Sequence, residues 1–188
     1  MRSAIGAGFR ICEFTLTIPG AFELIEELAT DDDLIVGAGT VLTVEDARRA
    51  VDAGARFLVS PVVDEAVIAE ASRLQVASMP GAYTPTEMLR AHESGASLVK
   101  LFPMPADGLA HLKAVKGPLP FLPIVPTSGV DESNVAEFLA SGAHAVGFVA
   151  PLFDPALIER EDYGAIEERG KLLRQAAGCP PRSSSKLL

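Results

Sequence analysis

Tryptophan is absent from this 188-residue chain, and tyrosine and cysteine occur only twice each. Two cysteines, Cys12 inside an apolar run and Cys179 near the end, make neither a disulfide framework nor a cysteine-rich metal motif. Basic residues are outnumbered: 16 Lys and Arg against 25 Asp and Glu leave a formal charge of −9. That balance argues against nucleic acid, whose binding needs clustered cations, and against an anionic membrane surface. No apolar run approaches the roughly 20 residues of a membrane helix, and the first residues lack a signal-peptide layout. His92, His111 and His144 stand without ligand spacing, so surface or capping roles are expected for them rather than metal binding. These absences leave a soluble cytoplasmic protein with reduced thiols.

What the chain does have is alternation. Apolar runs at 9–16, 34–37, 57–59, 76–79, 98–102, 121–125 and 145–149 read as seven strands. Between them, helical periodicity covers 20–29, 44–53, 65–74, 86–94, 108–115 and 132–141; after a stretch at 151–158, residues 161–177 read as a closing amphipathic helix. Ala53-Gly54-Ala55, Ser94-Gly95-Ala96 and Ser141-Gly142-Ala143 each offer a glycine for a left-handed helix end. Thr43 and Asp131 suit helix starts. Strand and helix repeating in this way predict a parallel sheet covered by helices. A (β/α) barrel over residues 1–177 is the leading expectation and an open doubly wound sheet the alternative. Seven strands fall one short of a closed barrel, and the length is under its usual range of roughly 200 residues and up. The missing unit is expected ahead of Met1. Residues 178–188, rich in Pro and Ser, read as a disordered tail.

One strand is chemically odd. Lys100, the first lysine in the chain, sits inside the apolar run Leu98-Val99-Lys100-Leu101-Phe102. Burying an ammonium is unfavourable, and desolvation favours the neutral amine, the form that attacks a ketone to make a Schiff base. In the first strand, alternation puts Ile11, Glu13, Thr15 and Thr17 on one side and Cys12, Phe14 and Leu16 on the other. The apolar set suits the helix-covered face, so Glu13 points to the interior that Lys100 also faces. A buried structural ion pair is the plainer reading of the two. A working amine with a carboxylate beside it is the sharper one. Around them, Gly37-Ala38-Gly39-Thr40, Ser60-Pro61, Pro80-Gly81-Ala82 and Pro126-Thr127-Ser128-Gly129 close successive strands, where barrels carry their active sites.

Taken in order, Glu13-Phe14-Thr15-Leu16, GAGTVL at 37–42, FLVSP at 57–61, Pro80-Gly81 with 84–88, Lys100-Leu101-Phe102-Pro103, Gly117-Pro118 and Pro126-Thr127-x-Gly129 resemble the 2-keto-3-deoxy-6-phosphogluconate / 4-hydroxy-2-oxoglutarate aldolases. The resemblance runs from about Met1 through Ile166. It implies a cofactor-independent class I aldolase on a TIM-type barrel, assembled as a homotrimer and acting on a small 2-keto acid. Lys100 falls at the Schiff-base position and Glu13 at the acid/base position. Thr40, Pro61 and Phe102 match positions near the keto acid, while Thr127 and Gly129 match the turn at the far end of the substrate.

Three departures modify that expectation. Thr17 stands where the family has an arginine that helps hold the anionic substrate. Gly147-Phe148-Val149 replaces a Gly-Gly-Ser of the phosphate site, and Ser128 replaces a glycine in the turn before it. The first strand and most of the first helix of the family have no counterpart here, since only residues 2–8 match the end of that helix. The first two departures point to an unphosphorylated or smaller 2-keto-4-hydroxy acid. All three together leave a catalytically impaired homologue, keeping the fold for binding or assembly, as the alternative function.

Overall fold

Six apolar runs form strands in the computed structural model, which describes residues 1–179. They are β1 (Ile11–Thr15), β2 (Ile35–Gly39), β3 (Phe57–Ser60), β4 (Ala77–Ala82), β5 (Val99–Leu101) and β6 (Ile124–Pro126). All pairs are parallel and lie in sequence order, so the sheet curves as a half-barrel. Residues 180–188 of the expected tail lie outside the described residues.

Helices α2 (Ala21–Ala29), α3 (Val44–Asp52), α4 (Glu65–Arg73), α5 (Pro85–Glu93), α6 (Gly108–Lys116) and α7 (Val135–Ala140) each follow a strand and cover its outer face. A short α1 (Arg2–Gly6) precedes β1, and α8 (Pro155–Glu159) and α9 (Tyr163–Ala176) close the order. Helix ends follow the local chemistry. Gly54, Gly95 and Gly142 take φ of 102°, 93° and 94°, and the next amide bonds back across the last turn, as in Ala55 N to Ala50 O at 2.9 Å. α4 ends the same way on Gln75 at φ 57°, a backbone that disfavours any residue with a Cβ. At the starts, Thr43 accepts from the Asp46 amide, and Thr84 with Glu87 forms a reciprocal capping box.

Two expectations change here. Asp131 is not a helix cap: its carboxylate takes the amide and hydroxyl of Ser133, and α7 begins only at Val135. The run at 145–149 is not a strand either. It meets β6 through His144 N to Ile124 O at 2.8 Å, Gly147 N to Pro126 O at 2.9 Å and one Thr127–Gly147 bridge. Pro126 accepts but has no amide to return, so the ladder cannot continue.

The helix-side core has two halves, one around Ile25, Val36 and Leu58 and one around Met88, Leu101, Leu112 and Ile124. A third cluster joins α1 to α9 through Ala4, Ile166 and Leu173. There the helices approach closely: a methyl at Gly170 would stand 2.6 Å from the Ala7 Cβ. The Phe9 and Phe148 rings meet edge-on at 6.1 Å, linking the entry to β1 with the segment after β6. Between α3 and α4, the buried Glu70 takes bonds from Arg48 and Arg73, which hold its carboxyl at about 2. No described helix is long and apolar enough to cross a membrane.

Candidate active site

Register assigns the inner face. In a parallel sheet, paired residues point the same way. Glu13 pairs with Gly37, Thr15 with Gly39, Gly81 with Lys100 and Lys100 with Val125. Their neighbours Phe14, Ala38, Ala82, Leu101 and Ile124 all lie in the helix-side clusters. Glu13 and Lys100 therefore share the concave face, near the C-terminal ends of the strands.

Glycines shape the space beside both groups. A methyl at Gly39 would fall on the Glu13 carboxylate, so that carboxylate lies flat over bare backbone. Gly81, next to Lys100, has the Pro61 carbonyl 2.5 Å from where its own Cβ would stand. The absent side chain lets the β3 end pack directly on the β4 backbone beside Lys100. Gly39→Ala is thus expected to displace Glu13, and a shift of about 1 Å in a reacting group lowers the rate roughly 100-fold. Steady-state aldol cleavage checks this, and a wild-type rate would break the link between Gly39 and Glu13.

The electrostatics favour a poised pair over a closed one. Burial pushes the Glu13 carboxyl above the ordinary glutamate range, and the Lys100 charge opposes that rise only in part. No ion pair within 4.0 Å joins them, and among the described residues Lys100 makes none. Lys100 is half-buried rather than fully enclosed. Its Nζ stands 4.7 Å from the centre of the Phe102 ring, which stabilises positive charge on that nitrogen.

The remaining expected positions are placed as follows. Thr40, just past β2, is held at φ 60°, an unusual backbone for a β-branched residue and one that clusters at functional sites. Pro61 follows β3 directly. Thr127 is buried and packs on Gly147, where a methyl would lie 3.0 Å from the Thr127 Cγ2. Ser128 and Gly129 turn the chain at φ 73° and 65°. Thr17 is exposed in the turn after β1, with its hydroxyl 3.3 Å from that of Thr15, which pairs with Gly39. Phe148 does not fill the far end of the site, because its ring packs into the helix layer. Val149, next in the chain, is half exposed. The roles of Gly39 and Gly81 escaped the sequence reading, although a glycine inside a strand signals close backbone approach.

Known proteins are similar to this chain in sequence and in fold. Residues 1–169 match the family model "Aldolase: KDPG and KHG aldolase". A 2-dehydro-3-deoxy-phosphogluconate aldolase of Treponema pallidum is 40% identical over 141 residues, 74% of this chain and 67% of its own. The KHG/KDPG aldolase of Escherichia coli is 31% identical over 177 residues, 93% of this chain and 82% of its own. Among solved structures, a native KDPGal structure superposes with a TM-score of 0.85 at 28% identity, covering 93% of this chain and 84% of that one. The KDPG aldolase of Legionella pneumophila, solved with pyruvate captured as a covalent carbinolamine, superposes at 0.83 and 28% identity, covering 92% and 84%.

Proposed function

The chain belongs to the KDPG and KHG aldolase family of carbon–carbon lyases, and we propose that it cleaves a 2-keto-4-hydroxy acid through a Schiff base on Lys100. The observation that carries this reading is Lys100 itself: an amine on the concave face that makes no ion pair among the described residues, with a carboxylate on the same face close enough to feel its charge.

The Lys100 Nζ attacks the C2 ketone, and loss of water leaves an iminium. Glu13 takes the proton of the C4 hydroxyl, directly or through a water, as the C3–C4 bond breaks. The electron pair of that bond moves to C3 and into the iminium, giving an enamine and releasing the aldehyde half. Protonation at C3 and hydrolysis then free pyruvate and the amine. The Phe102 ring beside Nζ supports the cationic iminium. Thr40 and Pro61 border the keto acid, and Thr127, Gly129 and Gly147 the far end.

Incubation with pyruvate and borohydride, followed by peptide mapping in a mass spectrometer, tests the reading. A reduced pyruvyl group on Lys100 is expected. No adduct on folded protein overturns it. A homotrimer is the assembly proposed with this reading, supported by the exposed apolar side chains Leu42, Val62 and Tyr83 after β2, β3 and β4. Sedimentation equilibrium is expected to give three times the chain mass.

A further inference from the structure

On its concave face β2 carries Ile35, Gly37 and Gly39, which pair with Ile11, Glu13 and Thr15 of β1. Two of those three positions have no side chain, and a neighbour leans over each from opposite sides. The Glu13 carboxylate, from β1, takes the place of a Gly39 side chain, and the Phe57 ring, from β3, takes that of Gly37. A methyl at Gly37 would stand 2.3 Å from the Phe57 Cζ and 2.4 Å from both Cε atoms, so the ring lies across bare backbone. Phe57 pairs with Gly37 on one side and Ala77 on the other, which fixes its side chain on the concave face.

The order along β2 gives the ring its role. Ile35 and its partner Ile11 form the row nearest the N-terminal end, and they are 39% and 67% exposed. The Phe57 ring comes next, and the Glu13 carboxylate above it, successive inward positions being roughly 6–7 Å apart. Solvent entering from that end meets the ring before it meets Glu13. Gly37 is also the register partner of Glu13, and paired strands lie roughly 4.8 Å apart, so a ring in the Gly37 side-chain position lies against the Glu13 stem. On the concave face of the six strands, Lys100 is the one other charged side chain among the described residues.

Resting on the aldolase reading above, we infer that Phe57 is a positioning residue for Glu13: its ring closes the interior beneath the carboxylate, keeps water at the N-terminal end away from it and holds it over Gly39. The burial that raises the Glu13 carboxyl is in part this ring, and Lys100 opposes it. A base that holds its proton more tightly also takes one more readily, so the ring serves the step in which the C4 hydroxyl is deprotonated. Phe57 acts through Glu13 and takes no part in bond making.

The test follows the acid limb of kcat/KM for cleavage of 4-hydroxy-2-oxoglutarate. Phe57→Ala admits water beneath Glu13, so the limb should move to lower pH, toward that of an ordinary glutamate, and kcat should fall roughly ten-fold. Phe57→Gln keeps the length of the side chain but brings an amide to the carboxylate, and should move the limb the same way. Phe57→Leu keeps apolar bulk and should leave the limb where the wild type has it. A double-mutant cycle in melting temperature reads the same contact without catalysis. At pH 7, Glu13→Gln should raise the melting temperature, and that gain should shrink in the Phe57→Ala background and persist in Phe57→Leu. An unmoved acid limb in Phe57→Ala or Phe57→Gln protein that still traps pyruvate on Lys100 overturns the inference, as does an undiminished gain in the cycle. Failure of wild-type protein to trap pyruvate brings down the aldolase reading instead, while the melting cycle still decides whether Phe57 governs the surroundings of Glu13.

Discussion

Lys100→Ala is expected to abolish aldol cleavage, with a fall of roughly 10⁵-fold or more, because removing a covalent nucleophile removes the whole pathway through the iminium. That loss corresponds to about 7 kcal/mol of barrier. Lys100→Arg separates charge from chemistry. The guanidinium keeps a positive charge near Glu13 but forms no Schiff base with the ketone. Both variants should fail to trap pyruvate under borohydride while keeping the wild-type circular dichroism spectrum. Lys100 makes no ion pair among the described residues, so its loss strands no partner in a salt bridge. Cleavage surviving in Lys100→Ala would show that the reaction does not run through this amine. If the wild-type protein neither cleaves nor traps, a scaffold that keeps only the fold becomes the better description.

Glu13→Gln should lower kcat by roughly 10² to 10⁴-fold, the usual contribution of a positioned acid or base. Trapping of pyruvate should persist, since the amine remains, so the two variants fail at different steps. The pH dependence follows from burial. Glu13 must be ionised to take the C4 hydroxyl proton, and its carboxyl holds that proton to a higher pH than an ordinary glutamate. The acid limb of kcat/KM is therefore expected above the usual glutamate value of about 4.3. Stability carries the opposite sign. A raised folded-state value means that the folded chain binds the proton more tightly than the unfolded one. Above that value, ionised Glu13 works against folding, and Glu13→Gln should melt higher than wild type. The advantage should fade as pH falls through the folded-state value toward the unfolded one. Thermal melts at pH 7 and pH 4 would show it, and an equal difference at both would contradict the cause assigned here.

The alternating strands and helices, the three glycine helix ends and the shared face of Glu13 and Lys100 were legible in the chain, because period, capping and pleat are local. Local rules also set the limits. They made a strand of 145–149, where the partner Pro126 cannot return a hydrogen bond. The family resemblance set Phe148 in place of a glycine of the phosphate site, whereas its ring packs against Phe9 in the helix layer. A sequence pattern shows that a residue prefers a strand or a face, but it holds no record of which backbone lies opposite. Residue types and their period along the chain determined the parallel α/β architecture and the candidate amine and carboxylate. Tertiary structure alone decided that Glu13 rests on Gly39, that Lys100 stands over Phe102 without an ion pair, and that Phe57 lies over Gly37. The first and last of these contacts join segments far apart in sequence, and their distances are set by the curvature of the whole sheet.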